Sequence, residues 1–340
     1  MDTLMKAIVL EAPKVAKMKE LPLPTPSKGE ILIRTKAATV CTSDLMDMEQ
    51  GLFTDSMPMV MGHEGAGVVA AVGAGVSDIN VGDEVAVHPV MPCYKCVSCL
   101  RGLSHLCDDM GHLCFNVPGV FAEYFVTRPD CVRIKPPGMS FAVASLMEPV
   151  CVCLEAVNRG QVTKDSRVLI TGDGPFGIMI SKLCAPKNAK QIIQTGFFDG
   201  RLKQSAASSV ININSEPDLE KRIMELTGGE GVDTAILCVS NPAAVDLCVE
   251  MLRSRGTMVV FSAISEKTPI DLFRIHLKEL NIAGSNNDEG YMDEAIRLLS
   301  DTNLNLQSIV THEVPFVRWE EAFHIAGNDK ESCLKVSMVM

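Results

Sequence analysis

Four cysteines within fifteen residues constrain this chain more than any other feature of its sequence. They are spaced C-x2-C-x2-C-x7-C in a stretch rich in turn residues, at Cys93, Cys96, Cys99 and Cys107. Four thiolates at about 2.3 Å complete a tetrahedral zinc shell with no open position. Such a site orders a loop that has few apolar residues of its own. The spacing predicts a structural zinc, with an iron–sulfur cluster or uncoordinated thiols as the weaker alternatives.

The size and composition indicate a large folded protein. The chain has 340 residues, of which 47% are hydrophobic and 21% charged, and this length favours two domains. Its first residues, MDTLMKAIVLEAPK, lack the pattern of a secretory signal. The thirteen cysteines are therefore expected to be metal ligands or reduced thiols, and we expect a cytoplasmic protein.

The net charge and the hydropathy of the chain limit the classes of molecule that it is expected to bind. A formal net charge of −11 argues against nucleic acid or an anionic membrane surface, because both would be repelled. The most apolar segment, 141–157, is interrupted by Glu148, Pro149 and Glu155, so we expect no transmembrane helix. A small-molecule substrate is the remaining expectation.

The pattern of predicted secondary structure changes near Arg167. Before about residue 145, short β-type runs such as EILIRTKAA and DEVAVHP are separated by Pro and Gly turns. After Arg167, apolar runs alternate with helical stretches, which is typical of a parallel sheet covered by helices. From about residue 288 the pattern predicts helix, strand, helix and strand, a tail that could rejoin the first domain. The chain is thus predicted to have an α/β fold.

A second, looser set of metal-ligand types is spread through the first half. It comprises Cys41 in VCTSD, His63 and Glu64 in GHEGAG, and Glu148 in EPV. A catalytic zinc needs three protein ligands and an open position, which this mixture of residue types could supply. Singly, each residue is more often a buried thiol, a satisfied histidine or a helix-start carboxylate.

The segment VLITGDGPFG carries a dinucleotide fingerprint. Its glycines follow an apolar strand and open a helix, where backbone N–H groups can hold a pyrophosphate. The predicted cofactor contacts here are Gly172, Gly174, Pro175, Phe176 and Gly177.

The second half of this fingerprint, an acid at the end of the next strand that holds the ribose of NAD, is missing. The strand KQIIQT runs into Gly196, and the nearest acid is Asp199, with Arg201 behind it. Arg201 could accept the extra phosphate of NADP, or be a solvated helix residue. NAD is the expected cofactor, with NADP as the alternative.

Together these motifs resemble the zinc-containing medium-chain dehydrogenase/reductase family over essentially the whole chain. GHEGAGVVAAVGAGVSDINVGDEVAV, the four-cysteine segment and TGDGPFG each match a family motif. Glutamate in EPV, where other alcohol dehydrogenases have cysteine, is similar to the polyol (sorbitol-type) and threonine dehydrogenase branch. The resemblance implies a homodimer or homotetramer. Its implied domains are a GroES-like β-rich catalytic domain over 1–148 with a zinc lobe at about 90–110, a doubly wound Rossmann domain over 149–287, and a segment over 288–340 that returns to the first domain.

The resemblance also implies roles for single residues. It places Cys41, His63 and Glu64 around a catalytic zinc, with Glu148 either a direct ligand or hydrogen-bonded to the zinc-bound water. Ser43 corresponds to the residue that accepts the alcohol proton, and Asp44 to the acid that orients His63. The implied enzyme is a zinc-dependent NAD(P)-linked dehydrogenase that moves a hydride between a secondary alcohol and nicotinamide.

Departures from the family pattern bear on the substrate. Many relatives continue the proton relay through a histidine soon after Cys-x-Ser-Asp, but this sequence has none there. The sequence therefore does not identify the route by which the proton leaves. Asp47 and Asn286, with its neighbour Asn287, replace residues that are typical of polyol enzymes. We predict that Asp47 and Asn286 contact substrate, which favours a polyol, cyclitol or amino alcohol; a surface position for Asp47 is the alternative.

Other functions stay open at this point. An L-threonine 3-dehydrogenase or a sugar-alcohol-phosphate dehydrogenase fits the same motifs. A non-catalytic binding protein would be expected to lose zinc ligands, and a zinc-independent quinone or enoyl reductase would lack both the cysteine segment and the His63–Glu64 pair. This chain has both the four-cysteine segment and the His63–Glu64 pair.

Overall fold

A computed structural model describes residues 4–264 and 266–340. The chain divides into two compact units. The β-rich unit comprises Met1–Cys151, Glu289–Asn303 and Val310–Met340, and the parallel-sheet unit comprises Val152–Asp288 and Leu304–Ile309. The boundaries predicted after residues 148 and 287 lie within a few residues of these breaks, whereas the short stretch 304–309 belongs to the parallel-sheet unit. The roles predicted for the two units remain predictions.

Among the described residues, twelve strands build the β-rich unit. Their bounds are β1 Leu4–Ala12, β2 Val15–Pro22, β3 Ile31–Thr39, β4 Met59–Val60, β5 Glu64–Val72, β6 Glu84–Val87, β7 Val90–Met91, β8 Gly111–His112, β9 Tyr124–Thr127, β10 Val132–Ile134, β17 Val310–Pro315 and β18 Lys335–Val339. The main sheet has the order β10-β6-β5-β3-β18-β17, with β9 also paired to β3. Two smaller sheets have the orders β2-β1-β4 and β7-β8.

Helices connect these strands. Their bounds are α1 Thr42–Gln50, α2 Val97–Leu100, α3 Phe141–Ala144, α4 Met147–Arg159, α10 Met292–Leu299 and α11 Trp319–Asn328. The order α10, β17, α11, β18 confirms the predicted helix, strand, helix and strand of the tail. Strand β18 pairs with β3 through Ser337 and Thr39, so the end of the chain completes the main sheet.

Buried apolar side chains from several of these strands form a common core. In β3, Ile31 and Ile33 are fully buried, whereas Arg34 faces solvent. Rings from distant parts of the chain meet in this core, where Phe323 packs edge-on against Phe121 and Trp319 at centroid distances of 5.9 Å and 5.6 Å. Full burial of one such side chain contributes about 1.5–3 kcal/mol. This core supports the segments that carry the metal-ligand residues.

The parallel-sheet unit contains one sheet of six strands, and every pairing in it is parallel. The strands are β11 Arg167–Thr171, β12 Gln191–Gly196, β13 Ser209–Asn212, β14 Val232–Leu237, β15 Leu252–Val260 and β16 Asn281–Gly284. The helices are α5 Pro175–Cys184, α6 Asp199–Leu202, α7 Leu219–Leu226, α8 Pro242–Met251 and α9 Leu272–Lys278.

The strand order of this sheet is β13-β12-β11-β14-β15-β16. Counted along the chain, this is the 3-2-1-4-5-6 order of a doubly wound Rossmann fold. The predicted α/β fold is confirmed. Such sheets bind ligands beyond the carboxyl ends of the strands, where the order reverses. Here the reversal lies between β11 and β14.

One helical stretch, Phe141–Arg159, is long and apolar enough to cross a membrane. In the structure 78% of its most apolar window is buried inside the protein. It is therefore packed as a core helix.

Candidate metal and nucleotide sites

The four-cysteine segment folds into a compact thiol cluster. The sulfur atoms of Cys93, Cys96, Cys99 and Cys107 all lie within 4.8 Å of one another. The sulfurs of Cys96 and Cys107 are 3.8 Å apart, which matches the edge of a tetrahedron with metal–sulfur bonds of about 2.3 Å. The structure thus brings these four side chains together, and their donor chemistry fits one zinc ion.

Backbone N–H groups prepare this cluster for negative charge. The sulfur of Cys107 accepts from the N–H groups of Cys93 and Asp109, each at 3.3 Å. The N–H of Lys95 is the main reason why the pKa of the Cys93 thiol falls to about 7. Burial, together with the neighbouring thiols of Cys96 and Cys107, raises the pKa of Cys99 to about 12, so four thiolates in this cluster need a compensating charge. A divalent cation would provide the compensation.

A second cluster in the β-rich unit joins Cys41, His63 and Glu64. Cys41 lies immediately before α1, and Glu64 is the first residue of β5. One ligand atom from each residue lies within 4.8 Å of the others, and all three side chains are buried. Thiolate, imidazole and carboxylate together are a donor set that fits zinc. The structure therefore brings together three of the predicted ligands.

Helix α1 supplies two further side chains to His63. The Ser43 hydroxyl lies 3.5 Å from His63 Nε2, and Asp44 Oδ1 lies 3.3 Å from Nδ1, an ion-pair distance without hydrogen-bond alignment. The other oxygen of Asp44 accepts from the Cys41 N–H at 2.8 Å. Burial alone would lower the pKa of His63, but the Asp44 charge and the side-chain contacts with Asp44, Cys114 and Cys41 together outweigh it and raise that pKa well above its usual value. Asp44 thus orients both Cys41 and His63.

Glu148 lies in the first turn of α4, outside the three-residue cluster. Its side chain is buried, and its Oε2 has no hydrogen-bond partner. Burial raises the pKa of Glu148 to about 7, with His63 opposing the shift and Glu64 adding to it. A buried carboxylate oxygen without a partner fits a site that holds a further group, either a metal or a water molecule.

Lys335 is a member of this region that sequence reasoning missed. Its ammonium group pairs with Glu64 Oε1, both side chains are fully buried, and Thr39 donates to Glu64 Oε2 at 2.5 Å. Burial works against the charge of Lys335, but Cys41 and Glu64 hold its pKa above the usual value. A lysine 271 positions from its partner gives no local sequence signal.

Two more neighbours of His63 were also missed. Cys114 forms a second close set with Asp44 and His63, again within 4.8 Å. The His112 ring stacks on Phe115 at 4.0 Å and lies 6.0 Å from the His63 ring. Burial lowers the pKa of His112 to about 3, so this ring is neutral. Its Nδ1 lies 2.7 Å from the carbonyl of Leu113, which places the proton on that nitrogen.

Asp47 requires a correction. It was predicted to contact substrate, but it is almost fully buried. Its Oδ1 accepts from the N–H groups of Phe53 and Thr54 at 2.7 Å and 3.1 Å, and its Oδ2 accepts from the Thr54 hydroxyl. The carboxylate is therefore committed to holding the loop after α1. Asp47 thus positions that loop, and its burial shows that the alternative of a surface position is wrong.

In the parallel-sheet unit, the predicted pyrophosphate turn connects β11 to α5. Gly172 has φ 110°, a conformation that favours glycine. A Cβ on Gly177 would lie 2.2 Å from the Gly172 carbonyl oxygen, so this glycine allows the close approach of helix and strand. A Cβ on Gly174 would meet nothing within 4 Å. Pro175 begins α5, and Phe176 packs against Phe261. Open space above N–H groups at a helix start fits a dinucleotide phosphate.

The predicted contacts of Asp199 and Arg201 with the cofactor are not supported. A cavity of about 530 Å³ opens beside the turn, and neither residue lines it. Asp199 accepts from Asn212 at 2.7 Å, and the Arg201 guanidinium is buried over the Phe198 ring at 5.5 Å. Local partners thus hold both side chains. Asn286 is exposed in the loop after β16, and its predicted substrate contact stays a prediction.

Comparisons with known proteins identify the family of this chain. The alcohol dehydrogenase GroES-like domain matches residues 27–137, and the zinc-binding dehydrogenase family matches residues 175–301. Sorbitol dehydrogenase of Bacillus subtilis (strain 168) is 32% identical over 98% of this chain and 96% of its own. L-threonine 3-dehydrogenase of Pyrococcus furiosus is 32% identical over 96% of each chain.

A solved alcohol dehydrogenase from Escherichia coli CFT073, in complex with the cofactor NADH, has a TM-score of 0.92. It is 30% identical, and the match covers 99% of both chains. The expected enzyme class, zinc dependence and nicotinamide cofactor are confirmed by these matches together. This chain belongs to the zinc-containing medium-chain dehydrogenase/reductase family of oxidoreductases.

Proposed function

We propose that this protein is a zinc-dependent polyol dehydrogenase that transfers a hydride between a secondary alcohol carbon and NAD. Its substrate class is a small polyol, cyclitol or amino alcohol. The observation that carries the proposal is the arrangement around His63, with the Ser43 hydroxyl 3.5 Å from Nε2 and the Asp44 carboxylate 3.3 Å from Nδ1. A protein that only bound zinc would have no use for a half-buried hydroxyl beside the ligand nitrogen.

Each residue has a chemical task in this proposal. Cys41, His63 and Glu64 would hold a zinc ion, with Glu148 as a further ligand or as the hydrogen-bond acceptor of a water molecule. When bound, zinc would supply a Lewis acid for the substrate oxygen, and nicotinamide would supply the hydride acceptor. The Ser43 oxygen would accept the proton of the substrate hydroxyl while the Ser43 hydroxyl gives up its own proton. Because Ser43 is only partly buried, the released proton can pass on to solvent.

The domain roles follow from the same residues. We propose that residues 1–148 form the catalytic domain with the zinc lobe at about 90–110, that 149–287 bind the nucleotide, and that 288–340 return to the catalytic domain. Support comes from the location of both metal-ligand clusters in the β-rich unit. The glycine turn lies in the parallel-sheet unit.

A substrate screen with matched variants tests this function. NAD reduction is measured with sorbitol-like polyols, cyclitols, amino cyclitols and sugar phosphates, with and without a chelator. Ser43→Ala is expected to lower kcat about 100-fold to 10,000-fold for every active substrate, because it removes the proton acceptor. Ser43→Thr keeps a hydroxyl and is the control. Turnover that survives complete zinc removal, or an unchanged kcat in Ser43→Ala, would contradict the mechanism.

L-threonine is the second candidate substrate. The similarity to the Pyrococcus furiosus threonine dehydrogenase is as high as that to the sorbitol dehydrogenase. Including L-threonine in the same screen separates the two. A kcat/KM for L-threonine that exceeds the value for every polyol would assign the protein to threonine oxidation.

We also propose a homodimer or homotetramer in the cytoplasm. Strand β16 is an edge of the six-stranded sheet, and on the adjoining helix α9 Leu272, Phe273 and Leu277 are 71%, 70% and 63% exposed. Open backbone groups beside exposed apolar side chains favour pairing with a second copy. In this proposal the protein binds neither nucleic acid nor a membrane.

Phe273→Glu is accordingly expected to convert the oligomer into smaller species at micromolar concentration, because a charge would be buried in the interface. Sedimentation velocity measures the change. Val210→Glu, on the opposite edge strand β13, is the matched control, since Val210 is also exposed at 48%. An oligomer that survives Phe273→Glu, or that only Val210→Glu dissociates, would place the interface elsewhere.

A further inference from the structure

A departure from the dinucleotide pattern and one of its variable positions meet at one point of the parallel-sheet unit. Gly196 ends β12, where an acid is expected, and Asp173 stands between the first two glycines of the turn. A Cβ on Gly196 would lie 2.5 Å from the Asp173 Cβ and 2.6 Å from its Oδ2. No side chain can therefore occupy position 196 while Asp173 is in place. The Asp173 carboxylate, which comes from the glycine turn, thus occupies the space where the pattern expects an acid at the end of β12.

Backbone groups hold this carboxylate firmly. Asp173 Oδ2 accepts from the N–H groups of Phe197 and Phe198, each at 2.7 Å. Hydrogen bonds to a charged acceptor are stronger than neutral ones, and two of them fix the side chain in one orientation. Both bonds end on Oδ2, so neither uses Oδ1. Asp173 is buried except for 6% of its surface.

The cavity beside Asp173 has the charge of a site for an unphosphorylated ribose. Its volume is about 530 Å³, and its lining residues include the acids Asp173, Asp218 and Glu220. No Lys, Arg or His is among these lining residues. A carboxylate accepts hydrogen bonds from neighbouring hydroxyls, whereas a phosphate monoester carries about −1.5 to −2 charges near neutral pH. Such a group would be repelled here.

We propose that Asp173 binds the adenosine ribose hydroxyls of NAD and excludes the phosphate of NADP. It thereby performs from the glycine turn the task that an acid at position 196 would perform from the strand end. This inference rests on the proposed use of a nicotinamide cofactor and names the residue that selects between its two forms. Gly196 is then a requirement of Asp173, since only glycine leaves room for its carboxylate.

Binary binding of NADH and NADPH, measured by fluorescence titration, tests the proposal without any turnover. The natural protein is expected to bind NADH at least about tenfold more tightly than NADPH, which corresponds to about 1.4 kcal/mol. Asp173→Asn keeps an acceptor for the two backbone N–H groups and removes the charge. It is expected to weaken NADH binding about tenfold and to bring the two dissociation constants close together. Asp165→Asn, on an exposed turn before β11, is the control.

A relocation variant separates this role from a structural one. Asp173→Ala opens the space at position 196, so Asp173→Ala combined with Gly196→Asp is expected to regain most of the NADH preference. Gly196→Asp alone is expected to lose affinity for both dinucleotides, because its side chain collides with Asp173. Thermal unfolding of each variant verifies that the parallel-sheet unit is folded.

The outcomes are distinct. NADPH preference in the natural protein, or an unchanged preference in Asp173→Asn and no regain in the relocation variant, would overturn the role of Asp173. Asp199→Asn shifting the preference instead would assign the ribose to Asp199. Selective NADH binding by a protein that oxidises no alcohol would contradict the proposed function and leave the role of Asp173 intact.

Discussion

Cys96→Ser is expected to remove one of two zinc ions from each chain and to unfold the segment around residues 90–110. The Cys96 sulfur lies 3.8 Å from that of Cys107 and accepts from the N–H groups of Cys99 and Asp108, each at 3.5 Å. In small zinc peptides such an ion contributes about 10–16 kcal/mol. This segment depends on that contribution, because Val97 and Leu100 are 60% and 76% exposed and form no core of their own.

Zinc content measured by atomic emission and limited proteolysis together check this result. The variant is expected to hold about one zinc per chain and to be cleaved within 90–110. It should bind NADH normally, since the glycine turn belongs to the other unit. Cys184→Ala, which removes a buried thiol outside the metal-ligand clusters found among the described residues, is the control and should keep both ions. Two zinc ions retained by Cys96→Ser would show that the thiol cluster is not a metal site.

Features encoded by neighbouring residues could be predicted from the sequence. The four thiols lie in one segment, and the glycine turn follows its strand directly, so spacing alone determined their geometry. Four of the six parallel strands, β11, β12, β14 and β15, likewise follow from local runs of apolar residues, whereas no such run predicts β13 or β16. Cys41, His63 and Glu64 are farther apart, and residue types alone left them ambiguous. Their assignment as one set came from resemblance to a family, and the structure brings their ligand atoms together.

Features that depend on side-chain direction could not be predicted. Asp47 follows Asp44 by about one helical turn, yet its carboxylate holds the loop after α1, whereas that of Asp44 lies beside His63. Asp173 looked like the variable position of a glycine motif. The role of its carboxylate follows from its contact with Gly196, which lies on the neighbouring strand. The pattern of residue types along the chain does not show which of two neighbouring side chains fills the space between them. These roles therefore became visible only in the three-dimensional structure.

Lys335 is the strongest case of this kind, and Lys335→Met is expected to lower the unfolding free energy of the β-rich unit by about 3–5 kcal/mol. The change leaves the Glu64 carboxylate fully buried with its Oε1 deprived of the ion pair. Removing one partner of such a pair costs much more than removing both, because an uncompensated charge remains. All variants are compared after the same treatment with a chelator, so that no zinc ion compensates Glu64. Unfolding in urea, followed by the fluorescence of the single tryptophan, reports on this unit, since Trp319 lies in its core.

A double variant identifies the cause of the loss. Lys335→Met combined with Glu64→Gln removes both charges, while the amide can still accept from Thr39. It is expected to be more stable than Lys335→Met alone, even though two native groups are then missing. A loss equal to or larger than that of the single variant would mean that packing of the lysine stem, and not the buried charge, stabilises this sheet. The ion pair would then matter mainly for Glu64 at the metal-ligand cluster, and its effect would appear in zinc content and not in unfolding.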